Sequence, residues 1–464
     1  MQAALSELLS AIPGARLTAP ATFSGVSTSS QSIEAGNLFV ALRGERFDAH
    51  EFLPEVVARG AAAVVLERVP EGFHLPALVV PDTRYALGQI AHWWRQRFEI
   101  PVIGVTGSNG KTTVKEMIAS ILAAAYGADN YLSTRGNLNN EIGVPLTLFR
   151  LEARHRAAVI EMGMNHPGEI ARLSEIAAPT VGLVNNAQRE HQEFMASVAA
   201  VAEENGAVIK TLAANACAVF PADDEFTPLW QSYAGARPTN SFGLEVHAGQ
   251  TASSVATPAA VTCSWHALAF GSHLSIQAQG QVMNVSLSAA GVHNVRNALA
   301  ACAATLAIGV DAASIVRGLE AFVPVAGRLQ KKSAVNGALV IDDTYNANPD
   351  SVRAAIDVLA SAPAPRTLVL GDMGEVGTEG VAFHEEIGEY ARAHQIEHLF
   401  TLGQLARHAS LAFGSAAVHF DDMDKLNEVV AMVPAGASVL VKGSRFMKME
   451  RVVQRLTGTA AGAH

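Results

Sequence analysis

Residues Pro101-Val102-Ile103-Gly104-Val105-Thr106 run as one mostly apolar stretch into Gly107-Ser108-Asn109-Gly110-Lys111-Thr112-Thr113, after which Val114, Met117, Ile118, Ile121 and Leu122 recur at helical spacing. A buried strand, a glycine turn and an amphipathic helix in that order specify a parallel α/β unit, because such a strand is apolar on both faces and needs helices over it. Glycines let backbone N–H groups converge on phosphate oxygens without a Cβ clash, and the helix N-terminus adds donors and a favourable dipole. Lys111 can neutralise β/γ-phosphate charge, and the Thr112 hydroxyl can ligate Mg²⁺. The generic phosphate-loop pattern opens on a glycine where this chain has Val105. The strand-loop-helix context outweighs that departure. By itself, the segment from Gly107 to Thr113 reads as an ATP- or GTP-binding loop.

A chain of 464 residues exceeds one ordinary core, and length alone suggests about three domains. With 49% hydrophobic and 16% charged residues, folded structure is expected throughout. A net charge of −10 provides no field to attract nucleic acid or an anionic membrane, although a local basic pocket is compatible with it. Cys217, Cys263 and Cys302 fit neither a zinc pattern nor a disulfide framework and read as buried thiols in a reducing compartment. The N-terminus lacks a basic region followed by an apolar block, and the weakly polar stretch 298–310 is too short to span a bilayer and reads as a core helix. A cytoplasmic protein without membrane insertion is expected.

Residues 1–98 alternate short apolar runs, at 38–42 and 62–66, with helical patterns, which predicts a small N-terminal α/β domain. Residues 99–324 form the loop-bearing domain, with further strands predicted at 157–160 and 180–184 and a Ser/Thr-rich antiparallel flap over 248–288. Residues 325–464 carry strand candidates at 338–341, 367–370, 398–402 and 438–441 separated by helical stretches, a doubly wound pattern. The fold class is therefore α/β in three domains: a small α/β unit, a central nucleotide-binding domain with a mainly parallel sheet, and a Rossmann-like C-terminal domain.

Glu161 follows the strand at 157–160, where a carboxylate at the C-terminal end of a parallel strand points into the nucleotide crevice. It is a candidate Mg²⁺ ligand or catalytic carboxylate, with a helix-capping or surface acid as the alternative. His191, after the next strand, is a candidate second metal ligand, although a lone histidine is more often structural. Asn294 and Asn297 open an Ala-rich helix and offer amides for base or ribose contacts, or act as caps. Arg328 lies where a guanidinium can reach phosphates on domain closure, or forms an ordinary ion pair. Asp342-Asp343-Thr344-Tyr345-Asn346-Ala347-Asn348-Pro349 and Lys442-Gly443-Ser444-Arg445 each follow a strand and make polar mouths.

Together these segments resemble the Mur ligases of bacterial peptidoglycan synthesis. The resemblance spans nearly the whole chain and includes Gly36 to Leu42 with Phe47-Asp48-Ala49-His50, Asn137 to Pro145, Glu161-Met162-Gly163, His293-Asn294 with Asn297, and Tyr345 to Ser351. It implies an ATP-dependent, ADP-forming amide ligase that activates a carboxylate as an acyl phosphate. The Asn346-Ala347-Asn348-Pro349 segment points to the branch whose small-molecule substrates are UDP-MurNAc-tripeptide and D-alanyl-D-alanine, in place of a folylpolyglutamate synthase-like ligase, and the retained Lys111, Thr112 and Glu161 argue against a non-catalytic nucleotide switch. Carried over residue by residue, the resemblance implies Lys111 and residues 107–113 on the phosphates, with Thr112, Glu161 and His191 on Mg²⁺. It implies Asn297, Arg328 and Asp343 on the nucleotide, and Ser30, Asn137, Asn140, Asn346, Asn348 and Lys442 on the substrates. Lys111, Glu161 and His191 form the catalytic set so implied, the C-terminal domain closes over ATP to bring in the dipeptide, and a monomer is expected.

Two segments depart from the family. Ser29-Ser30-Gln31 stands where relatives have Asp-Ser-Arg, which leaves only Ser30 of the UDP contacts. Asn205 stands where many relatives have a lysine that is carbamylated to bridge metals. An amide cannot be carbamylated and offers a neutral oxygen, which predicts a second metal held more weakly or by another ligand.

Overall fold

The structure, a computed structural model, describes residues 1–44, 47–190, 192–245 and 259–459. His191 therefore lies outside the described residues, as does part of the predicted flap. Three α/β domains follow one another along the chain, each around its own sheet. In the first, strands run in the order Arg16–Leu17, Ala77–Val79, Ala63–Leu66, Leu38–Val40 and Val26–Ser27, parallel except for the outermost Arg16–Leu17. Leu38 to Val40 and Ala63 to Leu66 are buried along their whole length, which is why each reads as an unbroken apolar run and not as an alternation.

The central sheet is entirely parallel, in the order Cys217–Val219, Val181–Val184, Val102–Thr106, Ala157–Glu161, Tyr131–Ser133. The chain leaves the middle strand Val102–Thr106 and adds strands on either side of it, which makes that strand the topological switch point. Its helix, Lys111–Tyr126, packs Val114, Met117, Ile118, Ile121 and Leu122 into the core between the sheet and helices Val292–Ala307 and Ala312–Ala321. The flap carries the antiparallel strands Val261–Leu268, Gly271–Ala278 and Gln281–Leu287, with buried and exposed residues alternating along the last two. Residues 298–310, predicted as a core helix, fall largely in the buried helix Val292–Ala307.

The C-terminal sheet runs Gln330–Ser333, Leu339–Asp343, Ser438–Lys442, Arg366–Gly371, His398–Leu402, Ala417–Phe420, with only the first strand antiparallel. Four of these strands were predicted. The two edge strands were not, because Gln330-Lys331-Lys332-Ser333 has no apolar signal and Ala417–Phe420 is only half-buried.

The first two domains share one continuous core, in which the helix Thr83–Arg95 lies against Glu169–Ala177. A Cβ on Gly88 would come within 2.8 Å of Ile176 Cδ1, so glycine sets how closely these helices approach. Arg95, buried at the seam, donates to the carbonyls of Ala177, Ala178, Phe98 and Ile100. The third domain meets the central one through a smaller apolar contact, at Ala290 and Phe270, and through polar groups around a cavity of 1160 Å³.

Candidate active site

The cavity opens at the C-terminal ends of the central strands. Register places Glu161 beside Val105 and Val184 beside Thr106, so the carboxylate and the phosphate loop stand at one level. Gly107 (φ +135°) and Gly110 (φ +81°) have left-handed or otherwise glycine-favouring backbones. A Cβ on Gly107 would lie 2.9 Å from Asn185 Cβ, and one on Gly110 would collide with the Asn297 amide, so the turn is closed to side chains from two directions. No side chain caps the helix that begins at Lys111, which leaves its first-turn N–H groups available to an anion.

The ammonium of Lys111 folds back on the loop, donating to the carbonyls of Gly107 (2.6 Å) and Ser108 (3.1 Å) and pairing with Glu190 Oε1 at 2.6 Å. Glu161 is 2% exposed, which removes the surface-acid alternative. Its Oε1 accepts from Thr112 Oγ1 (3.2 Å) and Asn139 Nδ2 (2.9 Å), while Oε2 is buried without a hydrogen-bond partner. A buried carboxylate oxygen without a donor is costly unless a cation or proton comes to it, so Thr112 and Glu161 suit a hard, oxygen-seeking ion such as Mg²⁺. Among the described residues there is no cluster of three or more His, Cys, Asp or Glu side chains arranged for a metal.

Asn205 is 1% exposed, and its Oδ1 accepts from the Gly107 N–H at 2.8 Å. The amide at this position is thus bound to the loop backbone.

A strap of residues 185–190 grips the loop from the side. Asn186 accepts from Asn109 N–H through Oδ1 (2.9 Å) and from Ser108 N–H through its carbonyl (3.2 Å). Gln188 Oε1 accepts from Asn109 Nδ2 at 2.6 Å. Asn185 Nδ2 donates to Asn109 O (2.8 Å) and to Asn297 Oδ1 (2.9 Å), and Asn297 Nδ2 donates to Asn294 Oδ1 at 3.1 Å. The helix-start asparagines therefore join a buried amide chain to the loop and do not cap their helix. Burial pushes the neighbouring His293 imidazole down to about 4, so it is neutral.

From the C-terminal domain, Asn348 caps the helix Pro349–Ala360 by accepting from Ser351 N–H (2.8 Å), and its Nδ2 donates to Asn109 Oδ1 on the loop at 2.9 Å. Arg328 Nη2 donates to Thr112 Oγ1 at 3.2 Å, with its guanidinium 4.1 Å from the Tyr345 ring centroid. Lys442 Nζ pairs with Asp343 Oδ2 at 2.5 Å and donates to Asn346 O at 2.9 Å, while Asp343 Oδ1 accepts from Leu329 N–H. Asp342 is turned to Lys332 and Thr344 and does not line the cavity.

Asn137 and Asn140 line the cavity, as do Ser108 to Thr113, Glu161, Asn297, Arg328, Asp343, Asn346, Asn348 and Lys442. Ser30 is half-buried in the first domain and is not in the lining. Sequence reasoning did not single out Asn185, Asn186, Gln188, Arg189 or Asn139, and it missed the bidentate Arg296–Asp223 pair at 2.7 Å. The run Asn185-Asn186 just after a buried strand was the available signal.

A three-domain α/β architecture with a nucleotide loop, a buried carboxylate and a third domain seated on that loop defines a nucleotide-binding protein whose site is shared between two domains. Residues 22–95 match the Mur ligase family catalytic domain, 105–305 the Mur ligase middle domain and 327–445 the Mur ligase glutamate ligase domain. The chain is 40% identical over 456 residues to UDP-N-acetylmuramoyl-tripeptide–D-alanyl-D-alanine ligase of Escherichia coli K12, covering 97% of this chain and 98% of that protein. Crystal structure I of MurF from Acinetobacter baumannii superposes with a TM-score of 0.88 at 34% identity, over 98% of both chains. MurF of Thermotoga maritima in complex with ADP matches at 0.81 and 27%, over 94% of this chain and 97% of that one. A Mycobacterium tuberculosis folylpolyglutamate synthase shares the fold at a TM-score of 0.62 and 16% identity, a likeness of fold alone. This chain belongs to the Mur ligase family.

Proposed function

We propose that the chain is the ATP-dependent ligase that adds D-alanyl-D-alanine to UDP-N-acetylmuramoyl-tripeptide. The observation that carries the reading is the meeting, across one cavity, of the phosphate loop, the buried Glu161–Thr112 pair and the Asn346-to-Pro349 segment, joined by the Asn109–Asn348 hydrogen bond. The reaction needs a carboxylate, a triphosphate and an amine held in line while water is excluded.

The γ-phosphoryl group moves to an oxygen of the tripeptide carboxylate, breaking its bond to the β,γ-bridging oxygen and releasing ADP. The dipeptide amine then adds to the acyl carbon, loses a proton, and the carbon–oxygen bond breaks to expel phosphate. Lys111 exchanges Glu190 and the two loop carbonyls for the β/γ-phosphates, and the first-turn N–H groups donate to the same oxygens. Mg²⁺, which Thr112 and Glu161 would hold with His191 at a second ion, supplies positive charge against the phosphate oxygens. Asn297, Arg328 and Asp343 serve the nucleotide, Asn137 and Asn140 the sugar-peptide path, and Asn346, Asn348 and Lys442 the dipeptide side. Ser30 serves the UDP end in the first domain. Free thiols at Cys217, Cys263 and Cys302 support a reducing, cytoplasmic location. Among the described residues, no helix is long and apolar enough to cross a membrane.

Coupled-enzyme measurement of ADP release from pure protein tests this reading. Release is expected only with UDP-MurNAc-tripeptide and D-alanyl-D-alanine together, and Lys111→Ala is expected to lower kcat by about 10²-fold or more. ADP release independent of both substrates would overturn the assignment.

A further inference from the structure

Arg189 stands at the end of the strap that grips the phosphate loop, next to Glu190, the partner of Lys111. Its own bonds leave the central domain entirely. The backbone N–H donates to Asp350 Oδ2 at 2.9 Å, Nε to both Asp350 oxygens at 3.1 and 3.2 Å, and Nη2 to Asp350 Oδ1 at 2.6 Å. Nη1 donates to Glu386 Oε2 (2.7 Å) and Nη2 to Glu386 Oε1 (3.1 Å), while the guanidinium carbon lies 5.3 Å from the Phe383 ring centroid. Arg353 closes the cluster by donating to Glu386 Oε1 at 2.8 Å.

Asp350 lies on the helix that Asn348 caps, and Glu386 on the next helix, Gly380–Ala393. One guanidinium thus ties two helices of the C-terminal domain to the strap, with side-chain exposure of 23% for Arg189 and Asp350 and 30% for Glu386. Planar, bidentate pairing with two carboxylates fixes orientation as well as distance, which a lysine in this place cannot do. The hydrogen bonds from Arg189 hold the Glu386 carboxyl below its usual range, and Glu386 raises the guanidinium in turn, so this pair stays ionised. Arg189 and Asp350 border the same cavity, but no step of the mechanism above uses any group of the cluster. Their place at the only strap-borne charge cluster joining the two domains, among the described residues, gives them a different task.

We propose that Arg189 is a positioning residue that latches the C-terminal domain, and with it the dipeptide side of the cavity, in register over the nucleotide loop. The dipeptide assay of this proposal rests on the ligase reading; the scattering measurement does not. Arg189→Ala, Arg189→Lys and Glu386→Gln are compared with the unaltered enzyme by steady-state kinetics and by small-angle X-ray scattering in the presence of ADP and Mg²⁺. For Arg189→Ala, kcat/KM for D-alanyl-D-alanine is expected to fall about tenfold to 10²-fold while KM for ATP changes less than about threefold. The radius of gyration is expected to rise, Arg189→Lys to recover part of both effects, and Glu386→Gln to show a smaller loss in the same direction. Unchanged scattering with unchanged dipeptide kinetics overturns the latch. An equal rise in the KM values for ATP and dipeptide also overturns it, since that reports damage to the loop. If Arg189→Ala does not fold, Glu386→Gln carries the test by the same readouts. If the unaltered enzyme ignores the dipeptide, the ligase reading fails, and the scattering comparison alone then decides the latch.

Discussion

At the scale of single residues, the site is organised by groups whose hydrogen bonds are incomplete. Glu161 has one oxygen engaged by Thr112 and Asn139 and the other buried without a donor. Glu161→Gln keeps the volume and removes the charge, so it is expected to lower kcat by about 10²-fold and to raise the Mg²⁺ concentration for half-maximal rate. A rate and a Mg²⁺ titration identical to those of the unaltered enzyme would remove Glu161 from the metal site. Position and residue type made Glu161 a candidate in the sequence, and its burial in the structure removed the surface-acid alternative. Asn205 was legible only as a departure from the family. That its Oδ1 holds the Gly107 N–H depends on the helix Val198–Lys210 crossing behind the loop, which no local pattern states.

At the scale of elements, the helix Pro349–Ala360 shows how capping and function share one residue. Asn348 at the N-cap and Pro349 at the first turn are strong helix-start signals, and the same amide reaches Asn109 on the loop. Asn348→Ala is expected to destabilise the protein by about 1 kcal/mol from the lost cap, seen as a lower urea midpoint. Asn348→Asp keeps an acceptor for the cap but cannot donate to Asn109. It is expected to hold the midpoint and still raise KM for a substrate; equal kinetics in Asn348→Asp and the unaltered enzyme would confine Asn348 to capping. Most strands with apolar runs were readable, although the short, largely buried strands Ala77–Val79 and Cys217–Val219 were passed over. The edge strands Gln330–Ser333 and Ala417–Phe420 were not readable, because a strand exposed along one side needs little apolar character.

At the scale of the molecule, burial of histidines ties stability to pH. The His293 imidazole sits at about 4 in the folded chain against 6.5 when solvated, because burial disfavours its charged form; Asp343 partly offsets this and Lys442 adds to it. His384 is shifted down in the same way by burial, with Nε2 accepting from Met373 N–H. Above pH 6.5 both folded and unfolded chains carry neutral imidazoles at these positions. As pH falls below that value the unfolded chain binds protons that the folded chain does not, so stability declines until His293 itself protonates near pH 4. Urea midpoints are expected to drop between pH 7 and 4.5, and His293→Asn to remove up to about one proton from that slope. A slope unaffected by His293→Asn would show that the imidazole titrates alike in both states.

Within each domain, much was set by the chain alone. Buried parallel strands, the glycine loop and its helix, and the polar segments at strand ends follow from side-chain volume, backbone freedom and hydrophobic period, which act over a few residues. What joins the domains came only with the tertiary structure. The Asn185-to-Arg189 strap, the Asn109–Asn348 hydrogen bond and the Arg189 link to Asp350 and Glu386 bring together residues separated by 76 to 239 positions. Such polar contacts have no periodicity to betray them. Which carboxylate a guanidinium meets is decided by the packing of three sheets and their helices, not by its neighbours in the chain.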